Sequence, residues 1–161
     1  MIDQSLSEEL LLFLRRYLAF YKEFLLLEAN KYDDMVQNRL NLLDEHVKTE
    51  EAYMLKSRGM EAEREKLWAK AGYPGVTFLQ LVPLLDPSLQ ESAKEIYDEL
   101  LQVLYDLKET NLRCNQLTEL KLHRIEADIQ KLKKNPQLQK QYDAKAILEG
   151  YSPSGILSKK I

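Results

Sequence analysis

The stretch Leu6-Ser7-Glu8-Glu9-Leu10-Leu11-Leu12-Phe13-Leu14-Arg15-Arg16-Tyr17-Leu18-Ala19-Phe20-Tyr21-Lys22-Glu23-Phe24-Leu25-Leu26-Leu27 decides the fold. Leu6, Leu10, Phe13, Tyr17, Phe20, Phe24 and Leu27 are spaced alternately by four and three. That is a 3.5-residue repeat, the seam of helices packed nearly parallel. A second stripe, Leu11, Leu14, Leu18, Tyr21 and Leu25, widens the apolar face. A face this broad suits a helix with neighbours on two sides, as in a bundle.

Outward from this stretch, the helix breakers mark the remaining elements. The chain has five Gly and five Pro, and none of them falls in residues 1–58 or 88–135. Two long uninterrupted blocks joined by a punctuated segment read as long helices and a connector. The first stripe thins after Glu28, and Tyr32-Asp33-Asp34 is the expected end and restart, since Asp is a good N-cap residue. One continuous helix over residues 1–71 is the alternative. The second helix is expected over about Met35 to Ala71, with Leu43, Val47, Met54 and Leu67 facing inward. Gly59 inside it suggests a close helix crossing. Gly72-Tyr73-Pro74-Gly75 ends it. Thr77 followed by Gln80 predicts a capping box that opens a short connector helix.

Asp86-Pro87 predicts the start of the last helix, with Gln90 completing a second capping box, and Asn135-Pro136 its end. Its expected inward stripe is Leu89, Ala93, Ile96, Leu100, Leu104, Leu107, Cys114, Leu117 or Thr118, Leu122, Ile125, Ile129 and Leu132. At 1.5 Å per residue such a helix is roughly 70 Å long. Asn111 and Asn115 near this seam read either as register-fixing polar groups or as a solvated edge. A short helix over Gln137–Glu149 and a flexible tail beyond Gly150 complete the chain. The fold expected is all-α: an elongated antiparallel bundle of about three long helices with a short connector helix. It forms a single domain over 1–149, with a tail over 150–161.

Composition narrows the function. The 161 residues are 45% hydrophobic and 30% charged, a globular balance. A net charge of −3 gives no basic surplus for nucleic acid or an anionic membrane. The acidic start lacks the positive opening of a signal peptide. No apolar run approaches the ~20 residues that span a bilayer. The single cysteine, Cys114, has no internal partner and suggests a reducing compartment, so a cytoplasmic protein is expected.

Chemistry is sparse. Metal centres in bundles use Glu-x-x-His pairs, but Leu43 and Leu120 stand where His46 and His123 would need glutamate. Cys114 has no activating partner nearby, and no Gly-rich loop precedes a helix. The expectation is a non-enzyme without metal or cofactor. The tail residues Tyr151, Ile156, Leu157 and Ile161 read as packing or disorder, or as a docking motif that orders on a partner.

The stretch Glu50-Glu51-Ala52-Tyr53-Met54-Leu55-Lys56-Ser57-Arg58-Gly59-Met60-Glu61-Ala62-Glu63-Arg64-Glu65-Lys66-Leu67 resembles the second helix of FlgN-type flagellar chaperones, particularly Firmicute-like forms. There an E-x-A-hydrophobic run precedes R-G-hydrophobic-E-x-x-R. Ala71–Phe78 resembles the family's Gly-containing turn with its Thr-Phe restart. Leu112-Arg113-Cys114-Asn115-Gln116-Leu117 follows the family's Leu-x-x-Asn-x-x-Leu pattern loosely, with the second Leu one position early and Thr118 in its place. Tyr151-Ser152-Pro153-Ser154-Gly155 is similar to a terminal Tyr-x-x-x-Gly element.

The resemblance covers nearly the whole chain in order of elements. It implies a cytoplasmic chaperone that binds the C-terminal amphipathic helix of the hook–filament junction proteins FlgK and FlgL and delivers them to the flagellar export gate. It places the client face on Leu117, Leu122, Ile125, Ile129 and Leu132, and export-gate docking on Tyr151. Those five apolar residues are also expected core, so either the groove is partly open or Gln137–Glu149 covers it. The rival readings are a structural coiled-coil scaffold, with a homodimer left open, or a chaperone for another type III secretion client.

Overall fold

The structure is a computed structural model and describes residues 1–134. The expected short helix over Gln137–Glu149, the tail and Tyr151 lie outside the described residues. Those described are helix and turn, without strand: an all-α bundle of α1 (Gln4–Val36), α2 (Leu43–Lys70), α3 (Phe78–Leu81) and α4 (Gln90–Lys134). Two 3-10 turns, Leu40–Leu42 and Val82–Leu84, join them. The chain divides into two units. Unit 1 holds Met1–Leu26 and Glu51–Leu107; unit 2 holds Leu27–Glu50 and the chain from Lys108 onward.

Unit 1 contains the large apolar core. Both α1 stripes contribute to it, with Leu10, Leu11, Phe13, Leu14, Leu18 and Phe20 buried. Asp3 caps the helix, its Oδ1 accepting from the Leu6 N–H at 3.0 Å. Trp68 of α2 is 1% exposed and meets Phe13 edge-on at 6.1 Å. Its Nε1 donates to the Val76 carbonyl at 3.1 Å, so the indole fastens the connector to α2. The rings of Phe20 and Phe24 stack on Tyr53, each with centroids 5.6 Å apart. The capping box at Thr77 and Gln80 forms in both directions.

Four sequence expectations are corrected. First, α1 continues past Tyr32–Asp34 and stops at Val36. The stop needs a left-handed residue, which is Asn38 with φ 57°. Arg39 N–H donates to the Asp34 carbonyl at 2.8 Å and Asn38 N–H to that of Met35 at 3.2 Å, closing a Schellman turn. Gly72, with φ 85°, ends α2 by the same pattern through the Tyr73 and Gly72 N–H groups.

Second, Met54 is 41% exposed, and Tyr53 and Met60 take the inward positions. Third, Val103 is buried in the core where Leu104 was expected, and Leu104 is 36% exposed. The seam of α4 keeps strict four-three spacing through Leu100, Val103 and Leu107, so the expected stripe drifted by one residue.

Fourth, α4 begins at Gln90 and no second capping box forms. Asp86 does cap the preceding turn, its Oδ1 accepting from the Ser88 N–H at 2.9 Å. Gln90, however, donates to the Pro83 and Leu85 carbonyls. The Asp86 N–H is used elsewhere, donating to Ser7 Oγ at 2.9 Å.

Gly59 also departs from expectation. No neighbour lies within 4 Å of the position its Cβ would take, so no close crossing accounts for it. Its backbone is ordinary helix. Gly59→Ala is therefore expected to stabilise the protein by about 1 kcal/mol, through helix propensity and a less disordered unfolded chain. Chemical denaturation of the two proteins checks it.

Candidate functional site

Unit 2 is built differently from unit 1. The α1–α2 turn is held by Asp34, whose Oδ1 accepts from Arg39 Nε at 2.6 Å and whose Oδ2 pairs with His46 Nε2. These two bonds, that from His46 first, hold the Asp34 carboxyl below the usual carboxylate range. The apolar core here is small: Met35, Leu43 and Cys114, with Tyr32 and Leu117 packed against them.

Seam positions that would be apolar in unit 1 carry charge in unit 2. From Phe24 the four-three spacing of α1 runs through Glu28, Lys31 and Met35. Glu28 and Glu50 are fully buried, and Lys31 is 6% exposed. Lys31 Nζ lies 3.2 Å from Glu28 Oε2 and pairs with Glu50 Oε1. Burial opposes the Lys31 charge, but the contacts with Glu50 and Glu28 outweigh it and raise its hold on the proton. Burial, with Glu28 beside it, pushes the Glu50 carboxyl up to about 8 against the pull of Lys31. Cys114 closes the cluster from α4, and burial pushes its thiol up to about 11. It is a buried hydrophobe with little thiolate at neutral pH.

Sequence patterning missed this trio. The signal was partly present, since the strict four-three spacing of α1 passes from Leu27 to Lys31, but the buried seam shifts by one residue at Phe24 to reach Glu28. A reading keyed to apolar residues sees only that the stripe thins.

Along α4 the packing loosens toward the C-terminal end. Cys114 is 1% exposed and Leu117 is half-buried on the small core. From Leu122 to Lys134 no described side chain is buried. Leu122, Ile125 and Leu132 are half-exposed, and Ile129 is 37% exposed. Their spacing of three, four and three puts them on one helix face. Four of the five expected client residues therefore share one face of one helix, with Leu122, Ile125 and Leu132 half open and Ile129 exposed, whereas Leu117, five residues before Leu122, packs on the small core. Lys121, Arg124, Lys131, Lys133 and Lys134 lie among them.

The polar residues singled out from sequence are peripheral. Asn115 Nδ2 donates to Asn111 Oδ1 at 3.1 Å on an exposed face, which makes them a solvated edge. His123 stands 3.7 Å from Glu126 at the surface. Among the described residues no group of His, Cys, Asp and Glu is arranged to hold a metal ion. No described helix is long and apolar enough to cross a membrane.

In comparison with known proteins, a family model described as FlgN protein matches residues 1–149. No curated protein and no solved structure matches the chain.

Proposed function

The chain belongs to the FlgN family of flagellar export chaperones, and on that premise we propose that it captures the C-terminal amphipathic helix of the junction proteins FlgK and FlgL in the cytoplasm. It then delivers them to the export gate. The observation that carries this reading is the apolar face of α4 beyond Cys114, where Leu122, Ile125, Ile129 and Leu132 remain partly open, with Leu117 on the small core just before them. An amphipathic helix laid against such a face buries apolar surface on both partners. The client segment loses conformational freedom when it orders, which keeps affinity moderate and release feasible. The basic residues flanking the face favour a client helix with acidic flanks. Tyr151, assigned to the export gate by resemblance, is a separate contact. The binding role itself calls for no catalysis.

The test is retention of FlgK and FlgL by the immobilised full chain, alongside versions lacking their C-terminal helices. Retention that disappears on truncation supports the reading. Equal retention of the truncated clients, or no retention of either, contradicts it. Sedimentation of the free chain decides whether a second copy occupies the same face: a monomer leaves the face to a client, whereas a stable dimer favours the scaffold.

A further inference from the structure

The buried Glu28–Lys31–Glu50 trio lies outside the proposed client face, and its charge does not balance. With both carboxylates ionised, two negative groups surround one ammonium inside unit 2. Taking an uncompensated charge out of water is among the most costly events in a protein interior. Two carboxyl groups sharing a site resist ionising together. The hydrogen bonding is equally incomplete: Lys31 Nζ reaches Glu28 Oε2 and Glu50 Oε1, and among the described residues Glu28 Oε1 and Glu50 Oε2 are left buried without a hydrogen-bond partner. A single proton resolves both problems. Placed on Glu50, it leaves one carboxylate for one ammonium and supplies an O–H that donates to Glu28.

We propose that Glu28 and Glu50 share one bound proton at neutral pH, and that this proton keeps unit 2 closed. The groups facing the pair are Lys31 from α1 and Cys114 from α4, with Glu50 itself on α2. Neither neighbour changes charge near neutrality, because Lys31 is held protonated and Cys114 as the thiol.

The position of Glu50 in the folded chain, about 8 against an ordinary 4.5, sets the sign and the window. A group that binds its proton more tightly when folded stabilises the fold most below the unfolded value. That stabilisation is lost as pH rises from about 4.5 to about 8 and is level beyond. On the client reading, the loosened unit is the one carrying Leu117 to Leu132, so client access rises with pH. This corollary rests on that reading, whereas the test below uses no client and stands apart from it.

The test is amide hydrogen exchange of the full chain between about pH 5 and pH 9, corrected for intrinsic exchange rates. Residues 27–50 and 108–121 are expected to lose about tenfold or more in protection across the window, and the core of unit 1 to stay level. In Glu50→Gln the amide donates to Glu28 and cannot ionise, so the loss disappears. An imidazole is the other side chain that changes charge in this range. His46→Gln is therefore the control, and the pH dependence must survive it. A level wild-type profile, or an unchanged loss in Glu50→Gln, overturns the proposal. If Glu50→Gln does not fold, infrared spectroscopy of the wild type with labelled glutamate decides. A protonated carboxyl band persisting at pH ~7 supports the shared proton, and its absence overturns it.

Discussion

Replacing Ile125 and Ile129 together by aspartate is expected to abolish capture of the client helix while leaving the chaperone folded. Each isoleucine has roughly a third of its surface or less still open, so covering it contributes about 0.5–1 kcal/mol of apolar burial. Two aspartates remove that and set desolvated charge against the client's apolar face, the larger of the two costs. A combined loss of about 3–6 kcal/mol weakens binding by more than about a hundredfold. The cost to the free chain is small, because no described side chain from Leu122 to Lys134 is buried. Surface changes of this kind usually stay within about 0.5 kcal/mol, and half-burial of Ile125 raises that modestly. Leu101 is the internal control: it is 49% exposed and lies in unit 1. Leu101→Asp is expected to leave capture unchanged. Calorimetric titration with the client's C-terminal helix, beside thermal melts of all three chains, measures both quantities.

The largest loss of stability is expected from Trp68→Ala. The side chain is 1% exposed, touches Phe13 edge-on and donates its indole N–H to Val76. Truncating a buried aromatic costs about 3–5 kcal/mol. Native domains hold only about 5–15 kcal/mol in total, so the variant keeps little margin. For a chain of this size the melting temperature is expected to fall by roughly 6–20 °C. Trp68→Phe keeps most of the ring contact and loses the bond to Val76, so its drop is the smaller of the two. Circular dichroism melts order the three proteins. A Trp68→Ala chain melting with the wild type would remove Trp68 from the core of unit 1.

The parts of this fold that were legible in sequence share one property: apolar residues mark them. The double stripe of α1 and the capping box at Thr77 follow from spacing and cap chemistry alone. The α2 seam was harder to read because its four-three positions run Leu43, His46, Glu50, Tyr53, Ser57, Met60, Arg64 and Leu67. Half of these are polar, and their partners lie far off in sequence. Tyr21 bonds Ser57 at 3.0 Å, and Lys31 pairs with Glu50. An apolar reading of the same stretch settles on Met54, one position off the seam. The turn at Asn38 was missed because two aspartates nearby offered a familiar start signal. Asp34 instead uses its side chain to hold Arg39 and His46.

The proposed client face poses a different difficulty. Leu122, Ile125, Ile129 and Leu132 carry the same spacing as a core stripe, and spacing alone cannot separate a covered face from an open one. Burial makes the distinction: the stripe of α4 is sealed at Ala93, Ile96, Leu100 and Val103 and open beyond Cys114.

Photocrosslinking from position 129 tests that distinction most directly. Benzoylphenylalanine in place of Ile129, in the full chain mixed with intact FlgK, is expected to crosslink to the client's C-terminal helix. The same probe at Leu101 is expected to give no crosslink. A crosslink from position 101 with none from 129 would place the client on another surface and contradict the account.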